Sequence, residues 1–248
     1  MKILLIAGHG QGDCGAVGNG YQEATLTREV VMLLKPILSK YADVTVFDTS
    51  KDMYKFLKAG NKYNFKDFDY VLEFHFNAFN TKAYGTEILV HPSEKGVSVE
   101  HNILNNISAI GFTNRGVKTC SNLQNMNICK GKQNISYALL ETCFIDNKND
   151  MNLYQAKKQE IIQAIAKGII DGFKLTNSST NNDEVAEQKN NTSMKYYDKF
   201  PEIPKSYQPT IAKLISNGII KGNTEGNLHL SEDMCRMLVF MDRLFEGN

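Results

Sequence analysis

Over residues 1–175, short apolar runs alternate with stretches whose apolar positions recur at helical spacing. Lys2–Ala7 reads as a buried strand, Val44–Phe47 as a second, and Asp69–Phe76, Thr86–Val90 and Tyr137–Thr142 as three more. Thr27–Tyr41 predicts a helix with Val30, Val31, Leu34, Ile37 and Leu38 on one side, kinked or shortened by Pro36. Lys51–Leu57 predicts a short helix and Val99–Ile110 another. Asn149–Phe173 predicts a long one burying Ile161, Ile162, Ile165, Ile169 and Phe173. Such alternation predicts an α/β layered fold, with a largely parallel or mixed sheet covered by helices.

The pattern stops at Thr176–Ser193, which is almost wholly polar and rich in Asn, Ser and Thr. So little apolar surface cannot offset the entropy of ordering, and the stretch reads as a flexible linker. The expected organisation is a domain over 1–175, a linker over 176–195 and a small, mainly helical domain over 196–248. In the last piece Ile211, Leu214 and Ile215 lead to Gly218, a helix with a left-handed stop. A turn, Ile219-Ile220-Lys221-Gly222-Asn223, then leads on to a second helix over Ser231–Phe245. Ser231 would cap that helix with Glu232 and Asp233 in its first turn, and Met234, Leu238, Met241 and Leu244 would be its buried stripe.

Composition narrows the partners. The 248 residues carry 28 Lys and Arg against 27 Asp and Glu, so no electrostatic signature of nucleic-acid or membrane-surface binding is present. Five cysteines, an odd number with no CxxC pair, favour reduced thiols over a disulfide framework. The apolar run Ile3–Ala7 is shorter than the roughly 7–15 residues of a secretory core, and no run reaches the roughly 18 of a membrane span. Neither a signal peptide nor membrane insertion is expected.

Candidate chemistry clusters where strands end. The first strand runs into His9, the Asp69 strand reaches His75, and the Tyr137 strand reaches Glu141. Ligands of open α/β sheets bind beyond the carboxyl ends of parallel strands, so these side chains are placed to converge. Glu23, after a glycine-rich loop, reaches back to the same crevice. Two imidazoles, a ligating carboxylate and a free carboxylate are what a hydrolytic zinc site needs. Spacing does not single this out, since HExxH is absent and each histidine also fits a structural role. Gly10-Gln11-Gly12-Asp13-Cys14-Gly15 also matches a dinucleotide fingerprint, with Asp48 as the ribose acid. Against that, Gly18, Gly20 and Tyr21 prolong the loop past the point where a helix must begin.

Several linked motifs carry a resemblance. Ile6-Ala7-Gly8-His9-Gly10 through Asp13-Cys14-Gly15-Ala16, then Gly20-Tyr21-Gln22-Glu23-Ala24, resembles the opening of the zinc-dependent N-acetylmuramoyl-L-alanine amidases, the Amidase_3 family. His75-Phe76-Asn77-Ala78 with Gly85-Thr86-Glu87, Arg115-Gly116-Val117-Lys118, and Leu140-Glu141-Thr142-Cys143-Phe144-Ile145-Asp146-Asn147 are similar to its later motifs. The resemblance implies a twisted, mostly parallel sheet with helices on both faces. It implies Zn2+ held by His9, Glu23 and His75, with Glu141 as the catalytic carboxylate. The implied reaction is hydrolysis of the amide between N-acetylmuramic acid and L-alanine in peptidoglycan.

Two residues depart from the family pattern: Cys143 stands where Gly is common, and Glu73 where a small polar residue is usual. Residues i and i+2 share a strand face, so Glu73 points to the metal side, either orienting a ligand or solvated at a sheet edge. Cys143 reads as a small packed residue, His91 and His101 as surface residues, and Lys118 as a solvated lysine near the substrate position. Tyr54, Phe56, Tyr63, Phe65, Phe68 and Tyr70 read as core or hinge packing, with a glycan groove as the alternative.

The C-terminal piece resembles a single S-layer-homology-like module, although Ser231-Glu232-Asp233-Met234 replaces the usual start of its second helix. It would bind a cell-wall polymer, and its small core makes a homodimer through this domain the hypothesis to test. The whole fits a phage-type endolysin kept in the host cytoplasm until released to the cell wall. A bacterial autolysin, or a non-catalytic wall-binding protein with a degenerate amidase domain, are the alternatives.

Overall fold

The computed structural model describes residues 1–177, 196–217, 219–220, 227–228, 230–231, 234–235 and 238–239, and it divides into units 1–183 and 184–248. In the first unit β1 (Lys2–Ala7) is followed by a hairpin of β2 (Val17–Gly18) and β3 (Tyr21–Gln22), then α1 (Glu23–Leu38), β4 (Asp43–Val46) and α2 (Met53–Lys58). A 3-10 turn at Phe65–Asp67 precedes β5 (Tyr70–Asn77), β6 (Thr86–Val90), α3 (Ser98–Ser108) and β7 (Asn114–Thr119). A short α4 (Gln124–Met126) continues as a π-helical turn over Asn127–Lys132, and β8 (Ser136–Phe144) and α5 (Lys148–Phe173) complete the unit.

Six strands form one sheet in the order β4-β1-β5-β8-β6-β7. All neighbours are parallel except β6 and β8. Strand alternation splits the apolar residues between two faces. Ile3, Leu5, Tyr70, Leu72, Phe74, Ile88 and Leu140 pack under α1, α3 and α5. Leu4, Ile6, Val71, Tyr137 and Leu139 pack against Met53 and Leu57 of α2, Phe65, Met126 and Cys129. The sheet is therefore mostly parallel and covered by helices on both sides.

Differences from the sequence pattern have local causes. α1 begins at Glu23 rather than Thr27, because Glu23 N–H donates to Ala16 O at 2.9 Å and Ala24 N–H to Cys14 O at 3.0 Å, which folds the glycine-rich loop onto the first turn. α1 ends at Leu38 rather than Tyr41, two residues past Pro36, which lacks the N–H that would continue the helical ladder. Asp52 caps α2 by accepting from Lys55 N at 3.2 Å. Asn147 caps α5 by accepting from Asn149 N and Asp150 N. α5 is kinked at Lys157, where φ is −120° and ψ 17°.

Phe65 and Tyr70 are fully buried, while Phe56, Tyr63 and Phe68 pack against the second core; only Tyr54 of the six aromatics is exposed. No helix among the described residues is long and apolar enough to cross a membrane.

In the second unit β9 (Tyr196–Tyr197) pairs antiparallel with β10 (Leu230–Ser231), and a turn at Phe200–Glu202 leads to α6 (Gln208–Ser216). Tyr197, Ile203, Ile211, Leu230 and Cys235 form its core. Ser231 is a strand residue opposite Tyr196, and residues 232–233, which would follow it as the expected first helical turn, lie outside the described residues. Met234–Cys235 and Leu238–Val239 are helical, with Met234 exposed and Leu238 packed against the core. Gly218, Lys221–Asn223, Met241, Leu244 and the stretch 178–195 lie outside the described residues.

Candidate metal centre

The centre is built at the carboxyl ends of β1 and β5. After β1 the chain turns through Gly8 and His9, whose φ of +62° is left-handed. Arg28 on α1 holds this turn, donating to the carbonyls of Gly8 at 3.1 Å and His9 at 2.9 Å and also to those of Ala24, Thr49 and Lys51. Gly8 admits no side chain, because a Cβ there would lie 2.4 Å from the His75 ring. Gly15, at φ +65°, is equally confined by Glu23 and His9.

Glu23 is buried at the first position of α1 and bridges two imidazoles. Its Oε2 lies 3.1 Å from His9 Nε2, and its Oε1 2.9 Å from His75 Nδ1. Phe76 N–H also donates to Oε1 at 2.9 Å and Ala16 N–H to Oε2 at 2.8 Å. Burial alone would raise the Glu23 pKa; hydrogen bonds from His75 and His9 overcome it and hold the carboxyl far below its usual range. Burial likewise works to lower both histidines, yet contact with Glu23 leaves each above the ordinary imidazole value.

One ligand atom from each of His9, Glu23 and His75 lies within 4.8 Å of the others. Tetrahedral zinc with bonds of about 2.0–2.2 Å separates its ligand atoms by about 3.4 Å, so the bridged contacts fit such an ion.

The far nitrogens face other carboxylates: His9 Nδ1 lies 3.2 Å from Asp13 Oδ2 and His75 Nε2 3.1 Å from Glu73 Oε1. Glu73 is 4% exposed on a central strand, so its solvated alternative is excluded.

Glu141 sits on β8 directly beside His75 in the parallel register, and Glu87 of β6 lies on its other side. Burial pushes the Glu141 carboxyl up to about 7; His75 opposes this, while Glu23 and Glu87 add to it. Its Oε2 has no hydrogen-bond partner among the described residues. Glu87 is neutralised by Arg115 Nε at 2.6 Å and Lys118 Nζ at 2.5 Å, so Lys118 is paired rather than simply solvated. A cleft of about 250 Å³ lies beside His9 and His75, lined also by Asp52, Tyr54, Leu123 and Gln124.

The dinucleotide alternative finds no support: α1 starts eight residues after Gly15, and Asp48 is occupied with Ser50 and Lys51 on the surface. Cys143 is fully buried, with Met151 Sδ 4.0 Å from its sulfur. His91 bonds locally to Ser93 and His101 is exposed. Arg28, Asn125 and Tyr137 were not singled out in the sequence as parts of the site. Their roles arise from contacts across 20 to 64 residues of chain, which no local pattern announces.

Residues 3–171 match the family model described as N-acetylmuramoyl-L-alanine amidase. A probable autolysin of Staphylococcus aureus is 32% identical over 194 residues, covering 69% of this chain and 38% of that protein. A sporulation-specific N-acetylmuramoyl-L-alanine amidase of Bacillus subtilis is 30% identical over 177 residues, covering 70% of this chain and 67% of its own. Among solved structures, the catalytic domain of the CD27L endolysin targeting Clostridia difficile superposes with a TM-score of 0.57 at 25% identity, covering 69% of this chain and 97% of that one.

Proposed function

Because the chain belongs to the N-acetylmuramoyl-L-alanine amidase family, we propose that it is a zinc-dependent peptidoglycan hydrolase cleaving the amide between N-acetylmuramic acid and L-alanine. The observation that carries the reading is the convergence of His9, Glu23 and His75 beside a half-buried Glu141, one of whose oxygens has no hydrogen-bond partner among the described residues. Two imidazoles and a carboxylate suit zinc better than a hard cation, which prefers oxygen ligands throughout. Zinc held there supplies a Lewis acid that acidifies a water molecule and polarises the scissile carbonyl.

Every other role falls to the chain. Glu141 takes the proton of the attacking water and passes it to the departing alanine nitrogen. A carboxyl raised by burial is suited to both halves of that transfer. Arg28 keeps the His9 turn fixed to α1, and Glu87, saturated by Arg115 and Lys118, packs beside Glu141 without competing for its proton.

Residues 1–175 are proposed as the catalytic domain, 176–195 as a linker and 196–248 as a module that binds a wall polymer and pairs between chains, its own core being small. The separate core around Tyr197, Ile211 and Leu230 supports an independent module. Five free cysteines support synthesis in a reducing cytoplasm, as for an endolysin awaiting release; an autolysin of the same activity is the alternative.

Digestion of purified cell walls with and without a chelator tests the reading. Newly freed amino groups are expected, lost with the chelator and restored by zinc. Glu141→Gln is expected to keep its zinc while losing about 10²–10⁴-fold in rate. Release of reducing sugars, or near-parental activity of Glu141→Gln, would overturn it.

A further inference from the structure

Glu73 is a buried carboxylate to which the proposed reaction gives no task. It lies on the central strand β5 between Ile6 of β1 and Leu139 of β8 in register, on the same face as Val71. Four donor contacts surround it. Asn125 Nδ2 donates to both oxygens at 3.1 and 3.0 Å, the Tyr137 hydroxyl donates to Oε2, and His75 Nε2 lies 3.1 Å from Oε1. Tyr137 is 1% exposed and Asn125 5%, and the cluster forms part of the wall of the cleft beside His9 and His75. A charge among apolar neighbours is a poor choice for stability alone, since replacing buried ionic groups by apolar ones is often neutral or favourable.

An ionised carboxylate only accepts hydrogen bonds, so the His75 nitrogen facing Glu73 must carry hydrogen. Nδ1 faces the Glu23 carboxylate at 2.9 Å, and there a cation bound between the two residues would replace the ring hydrogen. His9 is arranged the other way, with Nδ1 toward Asp13 and Nε2 toward Glu23. The two rings therefore present different nitrogens to one point, and each needs its own carboxylate to fix the tautomer.

We propose that Glu73 is a positioning residue that locks His75 as the Nε2–H tautomer, with Nδ1 presented to the metal, and that Asn125 and Tyr137 hold Glu73 in place. This rests on the zinc reading above.

The test is equilibrium zinc affinity of the full chain, measured by competition with a chromophoric chelator, for the parent and Glu73→Gln. The visible spectrum of the Co2+-loaded proteins at saturation is the second readout. A rise in zinc Kd of about 10–100-fold with a changed Co2+ spectrum is expected. A purely structural role would lower the melting point of the metal-free protein and leave both readouts unchanged. A Kd raised by less than about tenfold in folded Glu73→Gln overturns the proposal. Should that variant fail to fold, Asn125→Ala replaces it; there a rise of at least about threefold supports the proposal and a smaller one overturns it. A parent that takes up no zinc ends the metal reading itself, whatever the variants do.

Discussion

Replacing Gly8 by alanine adds one methyl group at the tightest point of the metal centre. The new Cβ would stand 2.4 Å from Cε1 and Nε2 of His75 and 2.7 Å from the Phe74 carbonyl oxygen. Carbon atoms in contact prefer about 3.5–4.0 Å, so something must move by about 1 Å. The Phe74 carbonyl is held by Gly8 N–H at 3.0 Å and sits in a strand flanked on both sides by others. The displacement therefore falls on the His75 ring. Metal–ligand distances tolerate only about 0.2 Å, so the shift exceeds the tolerance several-fold. Gly8→Ala is expected to lower kcat/KM for wall hydrolysis by about 100-fold, to weaken zinc binding in parallel, and to cost about 1–3 kcal/mol of stability from overpacking. Gly96→Ala is the control, since a Cβ there meets nothing within 4 Å. Amine release, chelator competition and urea unfolding report the three quantities. Parental zinc affinity and turnover in Gly8→Ala would show that His75 does not act from where the structure places it.

Two further outcomes follow from contacts away from the metal. Burial holds Glu100 above the ordinary carboxylate range, with Glu94 adding and the Tyr70 hydroxyl, 2.8 Å away, opposing. The stability tied to such a raised group is complete below the unfolded value near pH 4.3 and is lost as pH rises through the folded one. Glu100→Gln should thus melt higher than the parent at about pH 7 and alike near pH 4; an equal difference at both would discount burial as the cause. Arg28→Lys trades a fork donating to five carbonyls for a single ammonium, and should lose about 2 kcal/mol or more in urea unfolding. A loss below about 0.5 kcal/mol would mean that the His9 turn does not depend on it.

Much of this was legible in the sequence where burial writes a pattern. β1 and β6 run over the residues the apolar alternation predicts, because both lie inside the sheet with their faces covered. β7 escaped it, since Asn-Arg-Gly-Val-Lys-Thr is an edge strand with no buried residue, and it joins β6 through backbone hydrogen bonds and the ion pairs of Arg115 and Lys118 with Glu87, which leave no apolar pattern. The start of α1 was misplaced for a similar reason: the loop carbonyls that cap it belong to Cys14 and Ala16, not to a capping side chain. Glu73 could be assigned a face by strand period, but its burial depended on β8 lying beside β5. That neighbour relation skips β6 and β7 and has no local signature.

That strand order also bears on how a ribosome delivers the protein. β8 fills the slot between β5 and β6, yet it is translated after both. At about 5–20 residues per second, the stretch from Asn77 to Ser136 takes roughly 3–12 s to appear. Throughout that interval one edge of β5, a strand almost wholly buried in the finished molecule, lacks its permanent neighbour and offers a template for foreign strands. A nascent or truncated product ending before residue 136 would therefore demand chaperone protection, and it would hold His9, Glu23 and His75 without the Glu141 carboxylate that completes them.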